Sequence, residues 1–267
     1  MLILALSIPA ALILLAGFVR WLEPRLAFFP TAGESVSASE LGVGCEPLTI
    51  ETHDGEQLRG WSLVDSAARA RVLYFHGNGG NLSAWAPVVA GVARQGYSVF
   101  AFDYRGYGLS TGRPTELGLY RDVEAIVDRF WRAPSNVPIV YWGRSLGATM
   151  AAYASTLRKP DGVILESGFP DVPALIHGSP LLMVLAPFST YRFPSAHFVN
   201  RLDGAVPVLV LHGDDDHVIP IAQGRALFDA IKAPKRFVAV SGGDHNDVSP
   251  PDAAGYWKAV NDFIESL

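Results

Sequence analysis

Short apolar runs typical of β-strands alternate with amphipathic segments typical of helices from about residue 46 onwards. The strand-like runs are RVLYFH (71–76), YSVFAFD (97–103), VPIVYW (137–142), GVILE (162–166), VPVLVLH (206–212) and RFVAV (236–240). Runs that are apolar at consecutive positions fit strands buried on both faces, and helices between them fit crossovers of a parallel sheet. The pattern predicts an α/β fold with a mostly parallel, twisted sheet and helices on both faces.

Two features refine this prediction at the ends of the domain. Asp54-Gly55 lies between two further strand-like runs, which predicts a hairpin that adds antiparallel strands at one edge of the sheet. Apolar residues at helical spacing predict helices over 115–132 and 251–267, and Ser249 followed by Pro250 predicts the N-cap of the second one.

Composition excludes several classes of protein. A length of 267 residues suits a single α/β domain. The formal net charge of −5 offers no general attraction to phosphate backbones, so we expect no nucleic-acid partner. Cys45 is the only cysteine, which excludes an intramolecular disulfide and a cysteine-rich zinc site.

The amino-terminal segment predicts a membrane anchor. The chain carries no charged residue from Leu2 to Val19, and this run would span about 27 Å as a helix. Arg20, Trp21 and Arg25 follow it as a basic and aromatic interface. We expect a single-pass helix within residues 1–25, with the rest of the chain in the cytoplasm by the positive-inside rule. The alternative is a cleaved signal peptide and export, but no basic residue precedes the run and no clear cleavage site follows it.

The motif Gly143-Arg144-Ser145-Leu146-Gly147 carries the strongest chemical signal. It follows the run VPIVYW and precedes a helical stretch from Ala148 to Leu157, which is the strand–turn–helix setting of a nucleophilic serine. Side chains at positions 143 and 147 would collide with neighbouring backbone in so sharp a turn, whereas glycines fit. The motif predicts Ser145 as a nucleophile, with helix N–H groups facing a developing anion.

A serine hydroxyl needs a base, and the base needs an acid that orients it. His245 follows the last strand in a Gly-rich loop and is the predicted base. Asp214, Asp215 and Asp216 follow the run VPVLVLH, and one of them is the predicted acid, although spacing alone does not choose among them. A metal cluster is the less favoured interpretation because consecutive residues rarely converge on one ion, so we expect no metal and no cofactor.

The loop His76-Gly-Asn78-Gly-Gly-Asn81 ends the strand RVLYF and predicts part of an oxyanion hole. Acyl transfer needs two preorganised donors, and the backbone N–H groups of Leu146 and Asn78 are the candidates. A phosphate-binding loop is less favoured because the chain lacks the G-K-[ST] ending. Asp103 and Arg105 end another strand at the same edge, where a salt-bridged turn is favoured over a site-lining role.

Taken together, the blocks HGNGGN, DYRGYG, GRSLGA, HGDDDHVIP and GGDHND resemble the alpha/beta-hydrolase superfamily across residues 46–267. They look like its membrane-anchored branch, which contains bacterial proteins of undefined substrate, lysophospholipases and protein-depalmitoylating thioesterases. The resemblance implies the alpha/beta-hydrolase fold, selects Asp216 as the acid and supports Asn78 and Leu146 as oxyanion donors. Asp244 departs from the branch, which usually has Gly there; this carboxylate either raises the basicity of the histidine or caps the following turn. The chain also lacks the N-terminal cysteine cluster of the palmitoylated depalmitoylases, which weakens the thioesterase interpretation.

These observations predict a serine hydrolase that cleaves carboxylic acyl esters through an acyl-enzyme, acting on a small-molecule ester or a lipid. An acyl-protein thioesterase and a lysophospholipase are the alternatives, and a non-catalytic binding protein is less favoured because every triad residue is present. We expect an anchor over 1–25, a tether over 26–45 and a catalytic domain over 46–267. An insertion at about 168–204 is expected to form a small apolar cap, with Leu182 and Phe188 as substrate-binding residues.

Overall fold

The computed structural model describes residues 14, 16–18, 20–25, 27–41, 44–177, 189–202, 204–247 and 251–267. Its strands are β1 (Phe29–Pro30), β2 (Cys45–Glu51), β3 (Gln57–Leu63), β4 (Arg71–Phe75), β5 (Gly79–Gly80), β6 (Ser98–Phe102), β7 (Ile139–Arg144), β8 (Gly162–Glu166), β9 (Val208–Gly213) and β10 (Lys235–Val240). Its helices are α1 (Leu82–Arg94), α2 (Glu116–Phe130), α3 (Leu146–Leu157), α4 (Val172–His177), α5 (Ser195–Asn200), α6 (Ile221–Ala230) and α7 (Ala253–Glu265), and Ala38–Leu41 form a 3-10 turn.

Eight strands form one sheet in the order β10-β9-β8-β7-β4-β6-β3-β2. The strands from β10 to β6 in this order pair in parallel, whereas β3 runs antiparallel to both β6 and β2. The predicted hairpin is confirmed, since β2 and β3 flank Asp54-Gly55 and Gly55 has a φ of +89°. Because parallel strands place their carboxyl ends at one edge, the loops after β4, β7, β9 and β10 lie along the same side of the domain.

Helices cover both faces of the sheet, as the sequence predicts. On one face, Leu73 of β4 belongs to a cluster with side chains of α2, α3 and α6. On the other face, Val72 belongs to a cluster with side chains of α1 and α7. Successive residues of β4 therefore enter different cores, which explains why the strands are apolar at consecutive positions.

Side-chain caps fix the starts of several helices. Asn81 caps α1 through a hydrogen bond from Ala84 N, and Thr115 caps α2 through one from Gly118 N. The last helix begins at Ala253, and its N-cap is Asp252, whose carboxylate accepts from Gly255 N at 2.9 Å. The prediction of Ser249 as this cap is therefore wrong, because a carboxylate closer to the first turn reaches the free N–H group.

The predicted anchor and the middle of the insertion fall largely outside the described residues. Residues 20–25 and 27 are helical. No helix within the described part of the chain is long and apolar enough to cross a membrane. Most of the run from Leu2 to Val19 lies beyond those residues, so the membrane helix stays a prediction. Residues 178–188, which include Leu182 and Phe188, are not described either.

Candidate active site

Ser145 lies in the sharp turn between β7 and α3. Its backbone has φ 57° and ψ −120°, a conformation that side-chain-bearing residues rarely adopt. The turn is held by a hydrogen bond of 2.8 Å from Ser145 N to Glu166 O. A Cβ atom on Gly143 would overlap Gly147 O, and one on Gly147 would overlap Phe75 O, so only glycine fits at either position.

His245 bridges Ser145 and Asp216. Its Nε2 lies 3.0 Å from Ser145 Oγ, and its Nδ1 lies 2.8 Å from Asp216 Oδ2. The three side chains come from the loops after β7, β9 and β10, which the parallel sheet brings to one edge. An ionised carboxylate only accepts hydrogen bonds, so Nδ1 carries the imidazole proton and Nε2 is free to accept from the Ser145 hydroxyl.

The environment of Asp216 keeps its carboxylate ionised. Burial by itself raises the pKa of Asp216, but hydrogen bonds from His212, His245 and the Ile219 N–H hold that pKa well below its usual range. Asp216 Oδ1 accepts from Ile219 N at 2.7 Å and from Val218 N at 3.0 Å, which also fixes the rotamer of the side chain. The Asp216 side chain is thus held in place by its own loop.

The neighbouring aspartates have other partners. Asp214 accepts from Gly242 N at 2.6 Å, and Asp215 lies on the surface 3.5 Å from His217 Nε2. Asp244 accepts from the backbone N–H of His245 at 2.7 Å and of His217 at 3.2 Å. Asp244 therefore caps the turn that carries His245. No group of three or more metal-ligating side chains converges within the described ranges.

The loop after β4 packs against the start of α3. A Cβ atom on Gly147 would lie too close to the carbonyl oxygens of both Phe75 and His76, which shows how closely the two segments approach. Asn78 uses its side chain to hold the loop, since Nδ2 donates to Ala27 O at 2.6 Å and Oδ1 accepts from Tyr107 OH at 2.9 Å. These contacts fix the loop that carries the backbone N–H of Asn78.

Leu146 is the first residue of α3, and the first N–H groups of a helix have no acceptor within it. The positive end of the helix dipole lies at the same point, directly after Ser145. The two backbone donors predicted from the sequence, Leu146 and Asn78, thus belong to adjoining segments.

Sequence reasoning missed Arg144, which ties the His245 loop to a buried polar cluster. Arg144 Nη2 donates to His245 O at 2.6 Å, and its Nε lies 3.7 Å from Glu166 Oε1. Glu166 also accepts from Trp142 Nε1 at 3.1 Å and from Tyr256 OH at 3.0 Å. The sequence did contain a signal for this pair, since Arg144 ends β7, Glu166 ends β8, and the two strands are neighbours in the sheet.

Asp103 and Arg105 form the salt-bridged loop that the sequence favoured. Arg105 pairs with Asp122 at 2.8 Å and with Asp54 at 2.9 Å, which fastens the loop to α2 and to the β2–β3 hairpin. Asp103 accepts from Leu82 N at 2.8 Å at the start of α1. These contacts are structural and do not include Ser145 or His245.

Comparison with known proteins adds the family. The family model Hydrolase_4, described as serine aminopeptidase, S33, matches residues 66–206, which is more than half of the chain. The chain belongs to this family. It is therefore a serine hydrolase of the alpha/beta-hydrolase superfamily, and the fold predicted from its motifs is confirmed. The matched region contains the loop of Asn78 and Ser145, whereas Asp216 and His245 follow it.

Curated relatives are similar to most of the chain. The uncharacterised protein Rv2307c of Mycobacterium tuberculosis is 33% identical, over 97% of this chain and 95% of its own length. Protein bem46 of Schizosaccharomyces pombe is 30% identical, over 96% and 90%. The uncharacterised membrane protein YNL320W of Saccharomyces cerevisiae is 32% identical, over 84% and 80%.

Solved structures agree in fold. The esterase Pf2001 of Pyrococcus furiosus superposes with a TM-score of 0.72 at 19% identity, covering 90% of this chain and 96% of its own. The esterase RhEst1 of a Rhodococcus species superposes with a TM-score of 0.61 at 19% identity, covering 83% and 99%. At this identity the likeness shows the fold of the hydrolase domain and no more.

Proposed function

We propose that this chain cleaves carboxylic acyl esters through a triad of Ser145, His245 and Asp216. The observation that carries the proposal is the pair of contacts made by His245, 3.0 Å to Ser145 Oγ and 2.8 Å to Asp216 Oδ2. A serine hydroxyl is a poor nucleophile without a base, and an imidazole held between serine and carboxylate supplies that base.

In the first half of the reaction, Ser145 Oγ attacks the acyl carbonyl carbon while His245 Nε2 takes the hydroxyl proton. The imidazolium that forms is stabilised by the ionised Asp216, and the N–H groups of Asn78 and Leu146 donate to the tetrahedral oxyanion. One such donor is typically worth a factor of about 10² to 10³ in rate. The protonated His245 then donates its proton to the leaving alkoxide, and the acyl group stays on Ser145.

In the second half, His245 takes a proton from water, and the resulting hydroxide attacks the acyl-enzyme. The acid product leaves when Ser145 Oγ recovers its proton from His245. Each step uses protein groups and water, so the mechanism requires no metal and no cofactor.

The insertion over 168–204 is the proposed binding site for the acyl chain of the substrate. Its apolar composition suits an acyl chain, and Leu182 and Phe188 are the proposed contacts. Two structural neighbours, Pf2001 and RhEst1, are named esterases, which supports ester hydrolysis. Lysophospholipase and acyl-protein thioesterase activities use the same triad and differ only in the leaving group.

The test is hydrolysis by the full-length protein of p-nitrophenyl esters from acetyl to palmitoyl, with a lysophospholipid, an acyl thioester and leucine p-nitroanilide as further arms. We expect ester hydrolysis that disappears in Ser145→Ala, whose thermal unfolding should match that of the wild type. Undiminished activity in Ser145→Ala, or a folded wild type that cleaves none of these compounds, would overturn the proposal. Cleavage of the anilide alone would indicate an aminopeptidase, the activity named in the description of the family, in place of an esterase.

We further propose that residues 1–25 anchor the catalytic domain, 46–267, to a membrane through the run from Leu2 to Val19, with that domain in the cytoplasm. The support is the uncharged run from Leu2 to Val19 and the yeast relative YNL320W, which is described as a membrane protein. Expressed protein should stay in the membrane pellet after alkaline carbonate extraction. Quantitative release by carbonate, or a mature chain that starts after residue 20, would contradict the anchor.

A further inference from the structure

Glu23 is a buried carboxylate that the reaction does not use. It lies in the N-terminal helical segment, and only 8% of its surface is exposed. Three consecutive residues of the insertion donate to it: Ser189 Oγ at 2.8 Å, Thr190 through N at 2.7 Å and Oγ1 at 2.5 Å, and Tyr191 N at 3.2 Å. One side chain thus binds both the backbone and the side chains of a single stretch of the insertion.

The next two residues of the insertion are held in the same way from another direction. Arg192 N and Phe193 N each donate to the carboxylate of Glu116 at 2.7 Å, at the first turn of α2. Phe193 has a φ of +41°, which a bulky side chain rarely adopts without surrounding constraints. Residues 189–193, the clamped run, are therefore fixed between two carboxylates.

The clamped run leads into α5, whose first residue contacts α3, the helix that follows Ser145. Ser195 Oγ lies 2.6 Å from Thr149 Oγ1, and Thr149 is one helical turn after Ser145 on α3. Phe28 packs its ring against those of Tyr191 and Phe193, with centroids 5.4 Å and 6.1 Å apart. A displacement of the clamped run would therefore disturb both the contact with α3 and the packing of these three aromatic rings.

The other end of the N-terminal segment holds the loop with the proposed oxyanion donor. Ala27 O accepts from the Asn78 side chain at 2.6 Å, Phe29–Pro30 pair in parallel with Gly79–Gly80, and Thr31 N donates to Gly80 O at 2.8 Å. These contacts attach the oxyanion loop without Glu23. Loss of Glu23 should therefore release residues 189–191 of the insertion and leave the loop in place.

The charge state of Glu23 agrees with this role. Burial by itself raises the pKa of Glu23, but the hydrogen bonds from Thr190, Ser189 and Tyr191 outweigh it and lower the pKa overall. The carboxylate is ionised at neutral pH and accepts all four of these hydrogen bonds.

We infer that Glu23 is a positioning residue that fixes the clamped run, which leads to the contact of Ser195 with Thr149 on α3, and thereby sets which acyl chains the site accepts. The selectivity role rests on the proposed ester hydrolysis, whereas the clamp itself is a property of the structure. A merely structural contact would change stability and leave the preference among acyl chains unaltered.

The test compares full-length wild type, Glu23→Ala and Glu23→Gln on p-nitrophenyl acetate and octanoate. In Glu23→Ala we expect the octanoate-to-acetate ratio of kcat/KM to change at least fivefold through KM for octanoate, with kcat on acetate within twofold. Glu23→Gln keeps the shape and one acceptor, so it should lie between. Glu46→Gln, which removes one negative charge from an exposed position on β2, is the matched control and should behave as wild type.

Hydrogen exchange read by mass spectrometry tests the clamp without turnover. The amides of residues 190–191 should exchange at least tenfold faster in Glu23→Ala, while those of residues 76–81 keep the wild-type rate. Unchanged exchange at 190–191, an unchanged ratio, or an equal loss on both esters would overturn the inference. A wild type inactive on every ester would instead contradict the proposed function and, with it, the selectivity role, while the exchange rates would still decide the clamp.

Discussion

The backbone of Ser145 predicts an unusual order of stability between two inactive variants. Ser145→Gly should be more stable than Ser145→Ala, because φ 57° and ψ −120° are accessible to glycine and strained for alanine. Both variants lack Oγ, so the loss of its hydrogen bond to His245 cancels in the comparison. The difference therefore reports the backbone alone.

The magnitude follows from two opposing terms. A side-chain-bearing residue in such a conformation costs about 1–3 kcal/mol, which glycine avoids. Glycine in turn costs about 0.4–1 kcal/mol through the larger entropy of the unfolded chain. Mid-range values leave Ser145→Gly ahead by about 1.3 kcal/mol, or about 3–5 °C in the unfolding midpoint of a protein of this size.

The assay is urea and thermal unfolding of both variants, with the same pair made at Ser155 as the control. Ser155 lies near the end of α3 in ordinary helical backbone. There the order should reverse, with Ser155→Ala more stable than Ser155→Gly by about 1 kcal/mol. If Gly is also the less stable residue at position 145, the strain assigned to the turn is refuted.

Three further predictions concern the surroundings of the triad. Asp216→Asn should lower kcat by about 10⁴-fold. The pKa of Asp216 is depressed in the folded state, so its ionised carboxylate stabilises the fold above about pH 4, the pKa of an aspartate in the unfolded chain. This stabilisation is lost as the pH falls further, so the unfolding free energy of Asp216→Asn should depend less on pH in acid than that of the wild type. An identical acid dependence in the two proteins would contradict this. Arg144→Met should cost about 3–5 kcal/mol in the free energy of unfolding by urea, because it leaves the buried Glu166 without a cationic partner. Arg144→Met/Glu166→Gln should cost less than the sum of the single changes, whereas strict additivity would disprove the coupling. Gly147→Ala should destabilise by at least about 1–3 kcal/mol, since its Cβ overlaps Phe75 O, and a wild-type melting temperature would argue against so close an approach.

The sheet was predictable because its physical requirement is local. Alternate side chains of each central strand pack into two different cores, so a strand such as RVLYF is apolar at consecutive positions. Asp54-Gly55 likewise marks the turn between β2 and β3 without reference to the rest of the chain. The chain order also brings Ser145 and His245 together, since both follow strands of one parallel sheet. Spacing alone did not choose among Asp214, Asp215 and Asp216, whereas the family resemblance selected Asp216. The choice depends on which carboxylate the turn after β9 directs at His245, and the structure agrees with the resemblance.

The long-range polar contacts were beyond the sequence for a different reason. Glu23 and Thr190 carry no periodic or motif signal, and their hydrogen bond joins segments 167 positions apart. The link from Arg144 to the carbonyl of His245 is equally invisible, because a backbone acceptor leaves no trace in the choice of residue. The N-cap of α7 was predicted wrongly for a short-range reason. Ser249 and Asp252 are both residue types that cap helices, and the helix begins after Asp252.

Covalent labelling of Ser145 is the most direct test of its assignment as the nucleophile. Full-length protein is treated with a fluorophosphonate, and the intact mass and the modified peptide are determined. We expect one adduct per chain, located on Ser145, absent from Ser145→Ala and formed at least a hundredfold more slowly in His245→Ala. A folded protein that takes no adduct, or one labelled elsewhere at the same rate in Ser145→Ala, would contradict this assignment.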